Sequence, residues 1–265
     1  MRLIVTRPER DAQRWVRDLQ AAGQSAVAMP LIHIRPVSDA TRLHAAWMNL
    51  TRYVAVMFVS GNAVDCFFAS KPALAPEFIS QAATEFRAWA PGPGTADALT
   101  RVGMGLEQID MPALDAGQFD SETLWHLVED QIHPGDKVLI VRGGAAAAQS
   151  PTESGVGRDW LAQQVTDAGG QVEFVVAYQR HAPAFSPLER ALASEAAVDG
   201  SLWLFSSTEA VVNLCQAMPQ QSWAQARALA THPRIAAAAR SAGFGVVCES
   251  RPTLPDVLAS IESVT

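Results

Sequence analysis

Small polar and basic residues recur where short apolar runs of the sequence end. They are Thr6, Arg7, Ser60, Gly61, Asn62, Gly94, Thr95, Arg142, Gly143, Ser206, Ser207 and Thr208. Backbone N–H groups at a helix N-terminus attract carboxylate or phosphate groups, and side-chain hydroxyls add further donors. Each residue taken alone is explained first as an ordinary helix N-cap. The whole set predicts an anion-binding cleft between two domains and a ligand with many negative groups.

The two tyrosines differ in their sequence surroundings. Tyr53 opens a hydrophobic run and is predicted to lie in the core. Tyr178 lies in VVAYQRHAP, where we expect a linker between domains. A phenol, with a pKa of about 10, is protonated at neutral pH and can donate a proton to a leaving oxygen. Tyr178 is therefore either a packing residue at the linker or a candidate general acid.

Other chemistries lack their sequence patterns. The segment GPGTAD at 92–97 lacks the third glycine of a dinucleotide-binding fingerprint, and no GxxxxGK[ST] phosphate-binding motif occurs. The six histidines form no i, i+4 pair of the kind that holds zinc. No GxSxG nucleophile motif is present. We therefore expect no cofactor and no metal, and hydrolase chemistry is disfavoured.

Composition restricts the class of protein. A chain of 265 residues with 49% hydrophobic residues is long enough for two domains. Its net charge of −7 argues against a nucleic-acid partner. No apolar run approaches the ~18 residues that span a bilayer, so no membrane segment or leader is expected. The three widely spaced cysteines form no disulfide or metal pattern, which favours a cytoplasmic location.

The sequence contains an internal repeat. LIVTRP at 3–8 returns as LIVRGG at 139–144, and FVSGNAV at 58–64 returns as FSSTEAV at 205–211. Each copy closes with a predicted helix, near Ser121–Val128 and Leu254–Ile261. The matched blocks keep the same order along the chain, so we interpret the repeat as a duplication.

Each copy alternates short apolar runs with segments of helical periodicity. Runs such as VAVMFVS and LWLFSS suit strands that are buried on both faces. We therefore predict an α/β fold with two doubly wound parallel-sheet (flavodoxin-like) domains joined by a two-stranded linker. The first domain comprises residues 1–34 and 181–265, the second residues 38–176, with linkers near 35–37 and 177–180.

The sequence resembles the uroporphyrinogen-III synthase family over essentially its full length. The resemblance is carried by the start LIVTRPERDAQRWVRDLQAAGQSAVAMPLIHIRPV, then FVSGNAV, GPGTADAL, FDSETLW, VLIVRG, AYQR, FSSTEAV and HPRIAAAARSAGF, in that order. It implies two α/β domains, no cofactor or metal, and a small-molecule substrate, the linear tetrapyrrole hydroxymethylbilane with its eight carboxylates.

The resemblance also implies a reaction and roles for residues. The substrate loses water and closes into a macrocycle while its last pyrrole ring is inverted. Tyr178 matches the position of the general acid. Hydroxyl, amide and arginine donors would hold the substrate carboxylates, from Thr6, Arg7, Arg35, Ser60, Asn62, Thr95, Arg142, Arg180, Ser206 and Ser207. Hydroxymethylbilane synthase is the expected transient partner that hands over the substrate, and a monomer is expected because no strong apolar stripe suggests self-association.

The chain departs from the family pattern at two places. The Ser/Pro/Gly-rich stretch Gln149–Gly157 is predicted to be a mobile loop. The segment THPRIA at 231–236 lacks the glycine-threonine signature of the first copy, so His232 and Arg234 are weak candidates. The competing function is a non-catalytic, two-lobed cytosolic module that binds a polycarboxylate. The role of Tyr178 distinguishes the synthase from the binding module, since a binding module does not need a phenol at the linker.

Overall fold

The computed structural model describes residues 1–72, 86–116, 118–145 and 156–264. The chain divides into two compact units. The first comprises Met1–Ile34 and His181–Thr265, and the second Arg35–Arg180. Among the described residues, no helix combines the length and the apolar character that crossing a membrane requires.

Strands and helices alternate along most of the chain. The strands are β1 (Arg2–Val5), β2 (Ser25–Ala28), β3 (His33–Pro36), β4 (Ala55–Phe58), β5 (Arg87–Trp89), β6 (Ile109–Asp110), β7 (Lys137–Ala145), β8 (Gln171–His181), β9 (Leu202–Phe205), β10 (Arg227–Ala230) and β11 (Val246–Glu249). The described helices are α1 (Glu9–Ala21), α2 (Thr41–Met48), α3 (Gly61–Ala69), α4 (Pro93–Arg101), α5 (Ser121–Val128), α6 (Val156–Asp167), α7 (Pro187–Ala196), α8 (Thr208–Ala217), α9 (Pro233–Ser241) and α10 (Leu254–Val264).

Each unit is built on one sheet with the same strand arrangement. The first sheet has the order β11-β10-β9-β1-β2, and the second β3-β8-β7-β4-β5-β6. If β7 is taken as the counterpart of β1, the run β8-β7-β4-β5-β6 repeats the first order, with β3 added at its edge. This is the 2-1-3-4-5 order of doubly wound folds. The predicted α/β fold with parallel sheets is confirmed, and the repeated order agrees with the internal repeat.

Local sequence explains why these elements form. The strands β4 (AVMF) and β9 (LWLF) are buried along their whole length, as expected for central strands covered on both faces. Helix α1 buries Trp15 and Leu19 along one face. Ala22 follows the helix end and is exposed. Gly23 ends this segment with φ +80°, a conformation that only glycine adopts without strain.

The closing helices of the two copies lie where the sequence predicts them. Helix α5 spans Ser121–Val128 as expected, and α10 begins at Leu254 and continues to Val264. Of the predicted loop Gln149–Gly157, residues 149–155 lie outside the described part of the chain. Helix α6 already begins at Val156, so the last two residues of that prediction are helical.

Strands β7 and β8 are longer than predicted. We expected the second-copy strand to end before Arg142, but β7 continues through Arg142 and Gly143 to Ala145, with a register shift between Arg142 and Gly143. Its extension pairs with β8, which is one continuous strand of 11 residues that includes the expected linker residues 177–180. The boundaries between the two units fall within β3 and β8, which lie side by side in the second sheet.

Tyr53 fixes the amino end of β8. The residue is buried as predicted, but its hydroxyl donates a hydrogen bond of 2.6 Å to Oε2 of Glu173 on β8. Lys137 at the start of β7 contacts the other oxygen of that carboxylate at 3.2 Å. The bond from Tyr53, and then the lysine charge, hold the pKa of Glu173 below its ordinary value. This contact therefore joins Tyr53 to the amino end of β8, away from Tyr178.

Replacing Tyr53 with phenylalanine should lower the free energy of unfolding by about 1 kcal/mol at pH 7. Because the pKa of Glu173 is lower in the folded state, its stabilising contribution is present above the pKa of the unfolded chain. That contribution disappears as the pH falls through the lower folded-state value. Urea unfolding of both proteins between pH 7 and about pH 3 tests this. A difference in stability that stays constant down to acid pH would contradict the assigned contact.

Candidate active site

The phenol of Tyr178 lies beside the hydroxyl of Ser60. Tyr178 is on β8 and only 4% exposed, and its oxygen lies 3.1 Å from Oγ of Ser60. Ser60 follows β4, and β7 lies between β4 and β8 in the sheet. The two side chains therefore meet across β7, although they are 118 residues apart in sequence.

Gly143 makes room for the tyrosine ring. It is aligned with Tyr178 in the pairing of β7 with β8. A Cβ atom at Gly143 would lie 2.5 Å from Cε2 and Cζ of the ring and 2.9 Å from its oxygen. These separations are too short for real contacts, so the ring occupies the space that any other residue's side chain would need. The sequence analysis predicts that Gly143 follows the end of a strand. The structure places it inside one, where its function is to accommodate Tyr178.

Ser60 is held by its position as a helix cap. Its Oγ accepts a hydrogen bond of 3.3 Å from the backbone N–H of Ala63 in the first turn of α3. The backbone N–H of the preceding residue, Val59, donates to the carbonyl of Val141 on β7 at 3.2 Å. Both the backbone and the hydroxyl of Ser60 are thus fixed relative to the sheet.

The first turns of α3 and α4 lie against each other. A Cβ atom at Gly61 would lie 3.2 Å from the carbonyl oxygen of Gly94, so the two backbones approach closely. Asn62 is half-buried in the first turn of α3, and Thr95 is buried in the first turn of α4. Four residues from two predicted strand ends are therefore brought together beside Ser60.

Arg142 lies on β7 directly before Gly143. The residue is only 5% exposed, and its guanidinium carbon lies 4.6 Å from the centre of the Phe174 ring on β8. A cation over the face of an aromatic ring is favourably placed. The predicted substrate-binding arginine is therefore packed against the sheet within its own unit.

Thr6 has a structural contact in the first unit. Its hydroxyl donates a hydrogen bond of 2.7 Å to the carbonyl of Leu204, and the residue is 1% exposed. Because a hydroxyl has a single hydrogen, this bond uses the donor that we expected to hold a carboxylate. The bond instead links the end of β1 to β9.

Arg7 stacks on Trp15 at the same sheet edge. Its guanidinium carbon lies 4.2 Å from the centre of the indole ring. Burial lowers the pKa of Arg7 to about 10, and the nearby Asp11 carboxylate offsets part of that decrease. The residue remains a cation at neutral pH.

A small pocket lies beside this arginine. Its walls are mostly apolar, and Arg7, Ser206 and Thr231 add polar groups. Sequence reasoning selected only Arg7 and Ser206 among the lining residues and missed, for example, Trp15 and Thr231. Trp15 carried a signal, since it matches Trp160 in the repeat. Thr231 lies in the segment that lacks the glycine-threonine signature, so no pattern in the sequence selected it.

Helix N-caps account for the remaining predicted residues. Ser207 caps α8 and accepts a hydrogen bond of 3.2 Å from the backbone N–H of Glu209, and Thr208 begins the helix. His232 caps α9 in the same way, through Nδ1 and the N–H of Arg234 at 3.1 Å. Capping leaves the other N–H groups of these first turns directed away from the helix, as an anion site requires.

Comparisons with known proteins identify the family. The family model described as uroporphyrinogen-III synthase HemD matches residues 13–259. A uroporphyrinogen-III synthase of Chlorobaculum parvum is 26% identical over 190 residues, which is 71% of this chain and 67% of that protein. The fold is similar to that of a uroporphyrinogen-III synthetase from Helicobacter pylori, with a TM-score of 0.58 and 17% identity over all of both chains. It is also similar to a mutant uroporphyrinogen III synthase from Thermus thermophilus, with a TM-score of 0.57 and 15% identity over 100% of this chain and 98% of that one. The chain belongs to the uroporphyrinogen-III synthase family.

Proposed function

We propose that the protein converts hydroxymethylbilane into uroporphyrinogen III, with loss of water and inversion of the last pyrrole ring. The observation that carries this proposal is the match of the family model to residues 13–259. The reaction breaks a carbon–oxygen bond and closes a ring, so the enzyme would be a carbon–oxygen lyase of tetrapyrrole biosynthesis. It needs neither a metal nor an organic cofactor.

Tyr178 is the proposed general acid of the first step. Its phenol donates a proton to the terminal hydroxyl of the substrate, which leaves as water and gives an azafulvene. A protonated phenol at neutral pH suits this task. The position of its oxygen, 3.1 Å from Ser60 on the rigid second sheet, supports the assignment.

Orientation is the main demand of the later steps. The substituted carbon of the last ring attacks the azafulvene to give a spiro intermediate, which fragments and recloses with the ring inverted. Without the enzyme, the substrate closes through the unsubstituted carbon and gives the type I isomer. The protein therefore has to hold the chain in the conformation that favours the other attack, which is catalysis by orientation.

The protein can hold the substrate in this conformation by binding its carboxylates. In the first unit, Arg7 and Ser206 border the pocket beside β1 and β9, and we propose that they bind one carboxylate. The first turns of α3, α4 and α8 offer backbone N–H groups for others. Thr6 is left out as a donor because its hydroxyl hydrogen bonds to Leu204.

The cellular setting is a further part of the proposal. Spontaneous closure of hydroxymethylbilane would favour a direct hand-over from hydroxymethylbilane synthase. The three cysteines form no disulfide with one another, which suits a reducing cytoplasm. We propose a monomer because its largest exposed apolar side chains are scattered along the sequence.

An isomer assay tests the proposed function. The purified protein is given hydroxymethylbilane made in situ by the preceding enzyme, and the oxidised products are separated into type I and type III uroporphyrin. We expect type III to predominate. Type I alone from a folded protein would overturn the proposal and favour the two-lobed module that binds a polycarboxylate without catalysis.

A further inference from the structure

We propose that Ser60 is a positioning residue that acts through Tyr178: its hydroxyl donates to the phenol oxygen, so that the phenol proton is directed to the substrate. This inference rests on the proposed role of Tyr178 as general acid. In this inference, Ser60 orients the Tyr178 hydroxyl and does not bind a substrate carboxylate directly.

The contacts of Ser60 allow it to be the donor, and the direction from Ser60 to Tyr178 is part of the proposal. Its Oγ already accepts the backbone N–H of Ala63, and it has one hydrogen to donate. The phenol oxygen of Tyr178 lies 3.1 Å away, and either oxygen could supply the hydrogen of that contact. If Tyr178 donated, its proton would be directed at Ser60 instead of the leaving group. If Ser60 donates, hydrogen bonds run in one direction from Ala63 N–H through Ser60 to Tyr178.

The same arrangement stabilises the charge that develops on Tyr178. Once the phenol has lost its proton, its oxygen carries a negative charge and binds the Ser60 donor more strongly. Ser60 caps a helix of nine residues, α3, whose N-terminus carries partial positive charge. The positive end of the helix therefore stabilises the negative charge on the Tyr178 oxygen through the Ser60 hydroxyl, which the helix N-terminus holds in place.

The proton and electron balance of this step is complete. The O–H bond of Tyr178 breaks as its proton joins the terminal hydroxyl of the substrate. The carbon–oxygen bond breaks, its electron pair leaves with water, and the pyrrole nitrogen supplies electrons to form the azafulvene in its N-protonated, cationic form. The phenolate keeps its hydrogen bond from Ser60 and regains a proton when the cyclised product loses the ring proton.

Replacing Ser60 with alanine should slow type III formation about tenfold. The phenolate loses a donor, so the basic limb of the pH–rate profile should move to higher pH. Ser60→Thr keeps the hydroxyl and the helix cap, and should recover most of the rate. A slower Ser60→Ala enzyme whose basic limb stays in place would overturn the proposal.

A double-mutant comparison separates this inference from the function on which it rests. In the Tyr178→Phe background, Ser60→Ala should change the rate less than twofold, because the two residues act as one unit. An undiminished tenfold loss in that background would show that Ser60 acts independently of Tyr178. If Tyr178→Phe were itself fully active, the general-acid assignment would fail instead.

Loss of a helix cap needs its own control. Ser186 caps α7 in the same way and contacts Glu189, so Ser186→Ala removes a comparable cap within the described chain. We expect this variant to keep the rate and pH profile of the unmodified protein. If Ser186→Ala reproduced the effects of Ser60→Ala, general loss of helix stability would replace the proposed role.

Discussion

Replacing Tyr178 with phenylalanine is expected to slow the formation of type III product by about 10²–10⁴-fold, the range typical of a lost general acid. The substitution removes only the phenol oxygen. The ring still fills the space over Gly143, so the packing of β8 on β7 is retained. Substrate binding should change little, since carboxylates rather than the leaving hydroxyl supply most of its charge.

The measurement is a single-turnover assay with isomer separation. As the enzymatic rate falls, spontaneous closure competes, and the type I fraction should rise. Tyr53→Phe is the matched control, because it also removes a buried phenol oxygen and its hydrogen bond, to Glu173. That variant should keep its rate at pH 7. Equal rates for Tyr178→Phe and the unmodified protein would remove Tyr178 from the reaction.

The fold could be predicted because its determinants are local and repeated. Apolar runs such as LWLF mark strands buried on both faces, and the duplicated blocks show that both units share one strand order. The length of β7 was not predictable in the same way. Gly143 and Gly144 are poor strand formers, and they continue the strand only because β8 pairs with them to its end.

The candidate site was only partly predictable. Composition and strand ends selected Ser60, Gly143 and Tyr178 individually, but their contact depends on the order β8-β7-β4 and on a register shift in β7. The strand order follows from the predicted doubly wound fold, whereas the register shift leaves no pattern in the sequence. Thr6 shows the converse case, since a hydroxyl at a strand end looks like a ligand donor until its partner, the Leu204 carbonyl, is known.

Gly143→Ala is the second substitution with a large expected effect. The new methyl group would lie 2.5 Å from the Tyr178 ring, which is buried and cannot move aside without displacing its neighbours. Such overpacking costs about 1–3 kcal/mol of folding stability. It should also move the phenol oxygen from its position beside Ser60. A misplaced acid loses about 10²-fold in rate, which we expect from single-turnover measurements of type III formation.

Gly144→Ala distinguishes misplacement of the tyrosine from general strain in β7. Its added methyl group would lie 3.0 Å from Cγ1 of Val176 and would press on that side chain instead of the ring. This variant should lose less stability than Gly143→Ala in thermal unfolding, because Val176 has to move only slightly, and it should keep most of its rate. Combining Gly143→Ala with Tyr178→Phe should give a rate no lower than that of Tyr178→Phe alone, because the displaced phenol oxygen is already absent. A large further loss in the double variant would mean that Gly143 contributes to catalysis by a route other than placing Tyr178.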